Sequence, residues 1–561
     1  MKYRNEKTAC SLLFWIGFFL LTAGCREIVI PGPSLPGDEE TGRIAFQINL
    51  DTPELETRWN GDMTYEVGNQ LEREVQKVRL VLYGLNEENT WVVKYTYDYN
   101  IRSLNANADN DWDSFEQYDV TLGTKDHLFA TSDQNSFITY ARPVKRGNYK
   151  MLVLINPTRK TEEAASGISS AHNLYEITAV GNALSLFEDA VAFPYADGGD
   201  YNNLIHHKPS CGPAAIYEEE GVTHGYFLMS NHQGLVDIRA EKSAGHIYDD
   251  EEQANAHPVA VNVSRMVAKA SVTKGGSYAV LPAGAQFNNL KWELDILNKM
   301  SFWMRQMTFL INSSGGKGVA ETVENGTDRK ALYAKDPNYS DWYADNRANL
   351  DVHFMRRKTA SPTPTLGKDV ANYNTEEERQ VAYCLENTLD ENGVCLEVTS
   401  RVLVSGNYVP LGFNPGESYF LFDGNIAIKR NDMIAYAANP STIPAALGGL
   451  AGAIAFAKNE GYTFTNAELK NSFYVPSLGY YQNGINYYKI PIRHTGEKTD
   501  DAGEAAYGYY GMVRNNHYVV EINTVKGPGT PTIEEPDNGN IAFRVQINNW
   551  KNRQQGEDIG W

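Results

Sequence analysis

Side chains that could do chemistry are few in this sequence, and their spacing is poor. Asp109, Asp111 and Asp113 alternate like the start of a calcium loop, but Ser114 stands where that loop needs Gly and Val120 where it needs Glu. His206-His207 and Cys211 offer metal-ligand chemistry, yet no second pair follows at ligand spacing. Asp249-Asp250-Glu251-Glu252 is a charge run that suits a solvated face. Gly315-Gly316-Lys317-Gly318 lacks the upstream spacing and the Ser/Thr of a phosphate loop. No G-x-S-x-G elbow is present. The expectation is therefore no enzyme, no metal and no cofactor, with His517 structural.

The more informative chemistry is chemistry done to the chain. Lys2, Arg4 and Lys7 precede the apolar run Leu12 to Leu21, which ends in Thr22-Ala23-Gly24-Cys25. A basic start, a short apolar core and small residues form an export signal, too short for a stable membrane span. Small residues directly before Cys25 make it a candidate for lipid acylation and cleavage of a bacterial lipoprotein precursor; the alternative is an ordinary signal peptide that contains a Cys. Beyond Cys25 come Cys211, Cys384 and Cys395, a sparse and odd set for an exported chain. Cys384 and Cys395 are spaced to bridge a hairpin or to remain two buried thiols.

The elements that must carry these residues are strands. The chain has 561 residues, 42% apolar and 21% charged, with a net charge of −20. Mean hydropathy is −0.45. That composition suits a folded chain and argues against many spanning helices. The acidity argues against nucleic acid as a partner and serves solubility. The 34 Tyr suit strands and half-wet surfaces. Candidate strands run over 78–83, 149–155, 227–230, 261–264, 268–273, 290–297, 418–422, 487–492 and 518–522, separated by Gly, Asn, Asp and Pro clusters. Strands do not alternate with long helices, so antiparallel sandwiches are expected rather than a parallel sheet. Residues 312–375 read as a polar, irregular surface insertion, and 444–458 as a short packing helix.

One strand pattern occurs twice. Residues 26–42 read as a Pro- and Gly-bearing tether, and Gly42-Arg43-Ile44-Ala45-Phe46-Gln47-Ile48-Asn49-Leu50 follows it. Beyond the Pro-rich linker at 527–538 comes Gly539-Asn540-Ile541-Ala542-Phe543-Arg544-Val545-Gln546-Ile547. Both begin Gly-x-Ile-Ala-Phe and then place an aliphatic residue at every second position. Either two amphipathic strands coincide, or the two compete for one groove. Burying Ile541, Phe543, Val545 and Ile547 would contribute about 1.5–3 kcal/mol each, and main-chain pairing would add to it. For the late strand to replace Ile44, Phe46, Ile48 and Leu50, the early strand must leave. Arg58 lies just past it in a polar stretch that suits an arginine-specific or trypsin-like protease; taken alone it is also an ordinary surface Arg. With the early strand still attached, 43–50 should be paired in an N-terminal sheet and 539–547 should be loose.

Here the chain resembles the fimbrillins, the major-subunit family of the short (minor) fimbriae of Bacteroidales. The resemblance rests on Cys25, on the early strand followed by Arg58, and on Tyr149 to Pro157. It rests also on Val261-Asn262-Val263-Ser264-Arg265-Met266-Val267-Ala268-Lys269, on Val513-Arg514-Asn515-Asn516-His517-Tyr518, and on the late strand running into Trp550-Lys551. It implies a mainly β fold of two transthyretin-like antiparallel β-sandwich domains with a C-terminal donor strand. The implied division is 1–24 signal peptide, 25–58 propeptide with a removable strand, 59–272 and 273–524 sandwiches, and 525–561 linker and donor strand. It further implies an outer-membrane lipoprotein precursor, maturation after Arg58, and head-to-tail polymerisation by donor-strand exchange into an adhesive surface fimbria. The implied partners are further copies, anchor and tip or accessory subunits, an arginine-specific protease, and a host or bacterial surface ligand. The insertion at 312–375 leaves shaft and accessory subunit both open. The rival reading is a monomeric surface lipoprotein that binds glycans through Tyr and Trp platforms.

Overall fold

The structure is a computed structural model. It describes residues 41–50, 65–67, 70–100, 116–119, 124–130, 136–157, 173–189, 191–192, 213–232, 234–240, 245–309, 321–325, 328–334, 336–357, 366–372, 380–388, 398–492, 511–534 and 540–551. The chain is mainly β, and most of its strand pairs are antiparallel. Most strands expected from the sequence are present, but 227–230 straddles a break at Leu228 between Val222–Phe227 and Met229–Asn231, and 290–297 is broken at Ile296, whose φ is 59°. The early strand is broken in two, Thr41–Ile44 and Phe46–Asn49, with Ala45 between them.

The N-terminal half is built on one long sheet. Its order is Trp91–Asn100, Lys77–Leu85, Tyr149–Ile155, Met229–Asn231, Val259–Arg265, Phe46–Asn49, Ser136–Thr139, Thr124–Ala130 and Glu116–Asp119. Side chains alternate across a strand, and here both faces are used. Leu80, Leu82, Met151 and Val153 join Ile44, Phe46, Ile48 and Val261 in one core. Val81, Tyr83, Leu152 and Leu154 point the other way, onto Leu174, Phe187, Met266 and Trp303. Two-sided burial explains why 151–155 reads as an unbroken apolar run. It stops at Asn156, whose φ is 49°. The Asn156 side chain holds the chain there, accepting from Gln76 N at 2.8 Å and donating to the Glu74 carbonyl at 2.8 Å.

The C-terminal half is a sandwich. One sheet has the order Val381–Leu385, Val267–Val280, Asn516–Val525, Ile541–Lys551 and Tyr65–Val67. The other has Lys368–Asp369, Gln286–Asp295, Arg401–Val409 and Ile485–Pro491. Ala270, Val272, Tyr518 and Val520 meet Trp292, Val404 and Tyr488 between them. A smaller unit grows from this half. Tyr419–Phe422, Ile426–Lys429, Phe473–Val475 and Leu478–Tyr481 form its sheet, covered by Arg430–Ala438 and by Leu450–Asn459, which is the expected packing helix.

Two expectations are corrected. First, 312–375 is not irregular throughout. Glu321–Asn325 and Asp328–Ala334 pair as a hairpin, and Pro337–Ala344 is a helix. Asp336 caps that helix and Pro337 opens it, both favourable start signals. Its Tyr339 and Trp342, three residues apart, bury against Phe354 and Ile296. Second, the late strand is not loose. Ile541–Lys551 pairs antiparallel with Asn516–Val525, in a register that sets Phe543 opposite Ile522, Val545 opposite Val520 and Ile547 opposite Tyr518. An amphipathic strand with nowhere else to go covers an open edge of its own sheet, where Ile541 is buried and Phe543 packs on the core.

Candidate functional site

The early strand sits in a closed groove. Phe46–Asn49 lies parallel to Val259–Arg265 on one side and antiparallel to Ser136–Thr139 on the other. Thr41–Ile44 pairs with Arg142–Lys145. Arg43 and Tyr248 exchange backbone hydrogen bonds of 2.7 and 2.8 Å, Val259 N donates to the Ala45 carbonyl at 2.8 Å, and Phe46 N donates to Thr139 Oγ1 at 3.0 Å. Ile44, Phe46, Ile48 and Leu50 are buried in the core.

Five positions in this groove are exacting. A Cβ added at Gly42 would collide with Ile247 Cγ2 and lie 2.9 Å from the Tyr248 carbonyl oxygen. Ile44, Phe46 and Ile48 have no exposed surface. Ala45, also buried, clusters separately with Ala141 and Ala254 beside Tyr248, so a larger side chain there would have to displace packed neighbours. Gly, Ile, Ala and Phe are the four identities that the late strand repeats as Gly539, Ile541, Ala542 and Phe543. In its own sheet the late strand meets looser demands: Ala542 and Phe543 are only half-buried.

Between the halves lies a buried ionic seam. Glu72, on the helix Gln70–Arg73, is 1% exposed and pairs with Lys269, 2% exposed, at 3.0 Å. The Tyr383 hydroxyl also donates to Glu72, and Arg265 Nε donates to the Glu72 carbonyl at 3.2 Å. Burial lowers the Lys269 pKa, and Glu72 opposes that shift. In a second cluster Glu386 takes Arg514 Nε at 3.0 Å and Arg305 at 3.2 Å. Thus both quoted motifs, the one with Arg265 and Lys269 and the one with Arg514 and Asn515, end in the same seam. Asn515 links them, its Oδ1 accepting from Arg265 Nη1 at 3.3 Å. Sequence reading found these cations but missed their partners, Glu72 and Glu386. A cation placed inside an apolar strand pattern is the signal that a buried acid awaits it.

Other singled-out residues are ordinary. Asp250 caps the helix Glu251–Ala256, and Asp249 pairs with Arg146. His517 is buried, with Nε2 2.9 Å from Ser271 Oγ, and burial lowers its pKa to about 3. Cys384 is buried, its Sγ 3.3 Å from Met512 Sδ, and burial pushes the thiol pKa up. Cys25, Arg58, Asp109, Asp111, Asp113, His206, His207, Cys211, the glycines around Lys317, Cys395 and Gly539 lie outside the described residues. Among the described residues no group of three or more His, Cys, Asp or Glu is placed to hold a metal.

Among solved structures, the chain is similar to a fimbrilin, FimA, from Porphyromonas gingivalis W83. Identity is 12%, coverage is 91% of this chain and 98% of that one, and the TM-score is 0.37. It is similar also to the tip fimbrial protein Mfa3 of Porphyromonas gingivalis with a C-terminal truncation, at 10% identity, 91% and 100% coverage and a TM-score of 0.32. A fimbrial assembly protein from Parabacteroides distasonis ATCC 8503 matches at 8% identity, 65% and 82% coverage and a TM-score of 0.25. No curated protein matches the chain. Residues 479–556, which take in the edge strand Ile485–Pro491, the strand Asn516–Val525 and the late strand, match the family model described as major fimbrial subunit protein type IV, fimbrillin, C-terminal.

Proposed function

We propose that this chain is a structural subunit of an adhesive cell-surface fimbria, polymerised by exchange of one strand for another. In this reading the precursor is exported, acylated at Cys25 and carried to the outer membrane. A protease then cuts after Arg58, and the early strand with Ile44, Phe46, Ile48 and Leu50 departs. The late strand of a neighbouring copy enters the vacated groove, setting Ile541, Phe543, Val545 and Ile547 in their places.

The observation that carries this reading is the match between the repeat and the groove. Gly42, Ile44, Ala45, Phe46 and Ile48 occupy the exacting positions; the late strand repeats the first four and places the aliphatic Val545 at the fifth. Pairing favours the move as well. At home, among the described residues, the late strand has Asn516–Val525 along one edge and the short Tyr65–Val67 on the other. The groove offers a strand on each side. Apolar burial is nearly equal for the two occupants, so burial alone does not drive the exchange. Cutting does: a tethered early strand holds its groove at an effective concentration near the millimolar range, and a severed one loses that advantage.

The test is Arg58→Ala in the producing cell, with surface material run on denaturing gels and examined by electron microscopy. The expected result is full-length precursor without filaments. Filaments whose subunits still begin near Trp59 would show that maturation does not depend on Arg58.

A further inference from the structure

The segment that joins the late strand to its sandwich is not a free linker. After Asn516–Val525 the chain folds back over the edge strand Ile485–Pro491. Tyr487 and Thr530 exchange both backbone hydrogen bonds at 2.9 Å. The buried Tyr481 hydroxyl donates to the Gly529 carbonyl at 2.8 Å, and the buried Tyr488 hydroxyl donates to the Gly527 carbonyl at 2.7 Å. The approach at Gly529 is so close that an added Cβ would collide with the Tyr487 carbonyl. Ile533 closes the strap as an apolar plug, 1% exposed, against Leu403 and Tyr487. Each of these locks joins 527–533 to the body. The late strand meets the strap at Asn540, which accepts from Lys526 N at 2.7 Å and donates to the Pro528 carbonyl at 2.7 Å.

We infer that residues 527–534 stay on their own subunit when the late strand leaves, so that the joint between neighbouring copies is only the short stretch from Glu534 to Ile541. This rests on the strand-exchange reading above. Pulling away 541–551 breaks the Asn540 contacts and none of the strap's own locks named here. The consequence is geometric. Fully extended, Glu534 to Ile541 spans at most about 24 Å, whereas a chain peeled back to Lys526 would span about 51 Å. A pinned strap therefore holds the mouth of the next groove close to the Ile485–Pro491 edge. The partner this edge faces is a second copy of the chain, and the spacing between copies is short and regular. The strap also covers part of that open edge, which would otherwise invite unregulated pairing.

Hydrogen exchange on the wild-type mature protein, before and after assembly, tests this without a variant. The probes are the Tyr487 and Thr530 amides, which donate to each other across the strap. The expected result is protection that changes by less than about threefold on assembly. A fall of about a hundredfold or more in the filaments means that the strap peels, and overturns the inference while leaving strand exchange standing. If electron microscopy finds no filaments in mature protein, strand exchange itself fails and the joint fails with it.

Discussion

The early and the late strand carry the same Gly-x-Ile-Ala-Phe start, yet their seats differ in kind. The early seat is a slot with a neighbour on each side, a crossing at Gly42 where no Cβ fits, and a pocket at Ala45 lined by other alanines. The late seat is the flank of a sandwich, where one long neighbour supplies most of the pairing. Among its described side chains Ile541 is buried, as its counterpart Ile44 is, whereas Phe543 is only half-buried where Phe46 has no exposed surface. The lesson is that a repeated pattern is as specific as the most demanding place it must fit. A flank accepts many amphipathic strands; the slot accepts few. Four identities repeated in the strand with the permissive seat are better explained by the strict one.

The largest test of that comparison removes the late strand. Ending the mature chain at Glu534 is expected to abolish filaments and high-mass ladders while leaving a folded monomer, read by electron microscopy and circular dichroism. Filaments from that truncation would mean the flank is the strand's proper place. Next in size is Glu72→Ala. The two seats lie in different halves, and Glu72 is where the halves are tied. Leaving Lys269 buried without its carboxylate should cost about 3–5 kcal/mol, seen as a lower midpoint in denaturant. A cost below about 1 kcal/mol would place the pair among screened surface bridges instead. A smaller effect separates the two glycines. Gly42→Val should destabilise the precursor by about 1–3 kcal/mol through overpacking at Ile247 and Tyr248. Gly539→Val should leave precursor stability alone and slow filament growth by about tenfold or more, because the same collision awaits it in a neighbour's slot. Equal growth rates for Gly539→Val and wild type would break the analogy.

How far the sequence anticipated this depends on range. Strands with period-two burial, such as Phe46–Asn49, were legible because alternation is a local signal. So was Leu450–Asn459, whose small apolar run ends at a charged residue. The buried ion pairs were not. Lys269 meets Glu72 across 197 positions, and Arg514 meets Glu386 across 128; no spacing rule reaches so far. The helix at Pro337–Ala344 was missed for the opposite reason. Its apolar face is only Tyr339 and Trp342, too short to outweigh the polar residues around it until Phe354 and Ile296 close over them. The strap was visible as Pro and Gly, which signal stiffness. What holds it, the hydroxyls of Tyr481 and Tyr488, lies on other strands.

The smallest effect concerns the sheet on which the late strand rests. His517 lies on Asn516–Val525, and burial lowers its pKa from 6.5 to about 3. A depressed pKa means the folded state favours the neutral ring. That stability is fully present above pH 6.5 and is lost as pH falls from there toward 3. Asp336 in the same half runs the other way. Burial raises its pKa from 3.8 to about 6, even though five polar hydrogens, from Asn298, Asn338, Tyr339 and Thr388, point at its carboxylate. A raised pKa gives stability that is full below 3.8 and is lost as pH rises through 6. Between pH 7 and 5.5 the two oppose each other, at about 1 kcal/mol apiece. His517→Gln retains a polar partner for Ser271 and removes only the first of them. Acidification from pH 7 to 5.5 should therefore raise the variant's stability relative to wild type by about 1 kcal/mol, measured by urea unfolding at each pH. Parallel curves would mean that His517 titrates in the folded chain as it does in water, and that the floor beneath the late strand is wetter than its burial indicates.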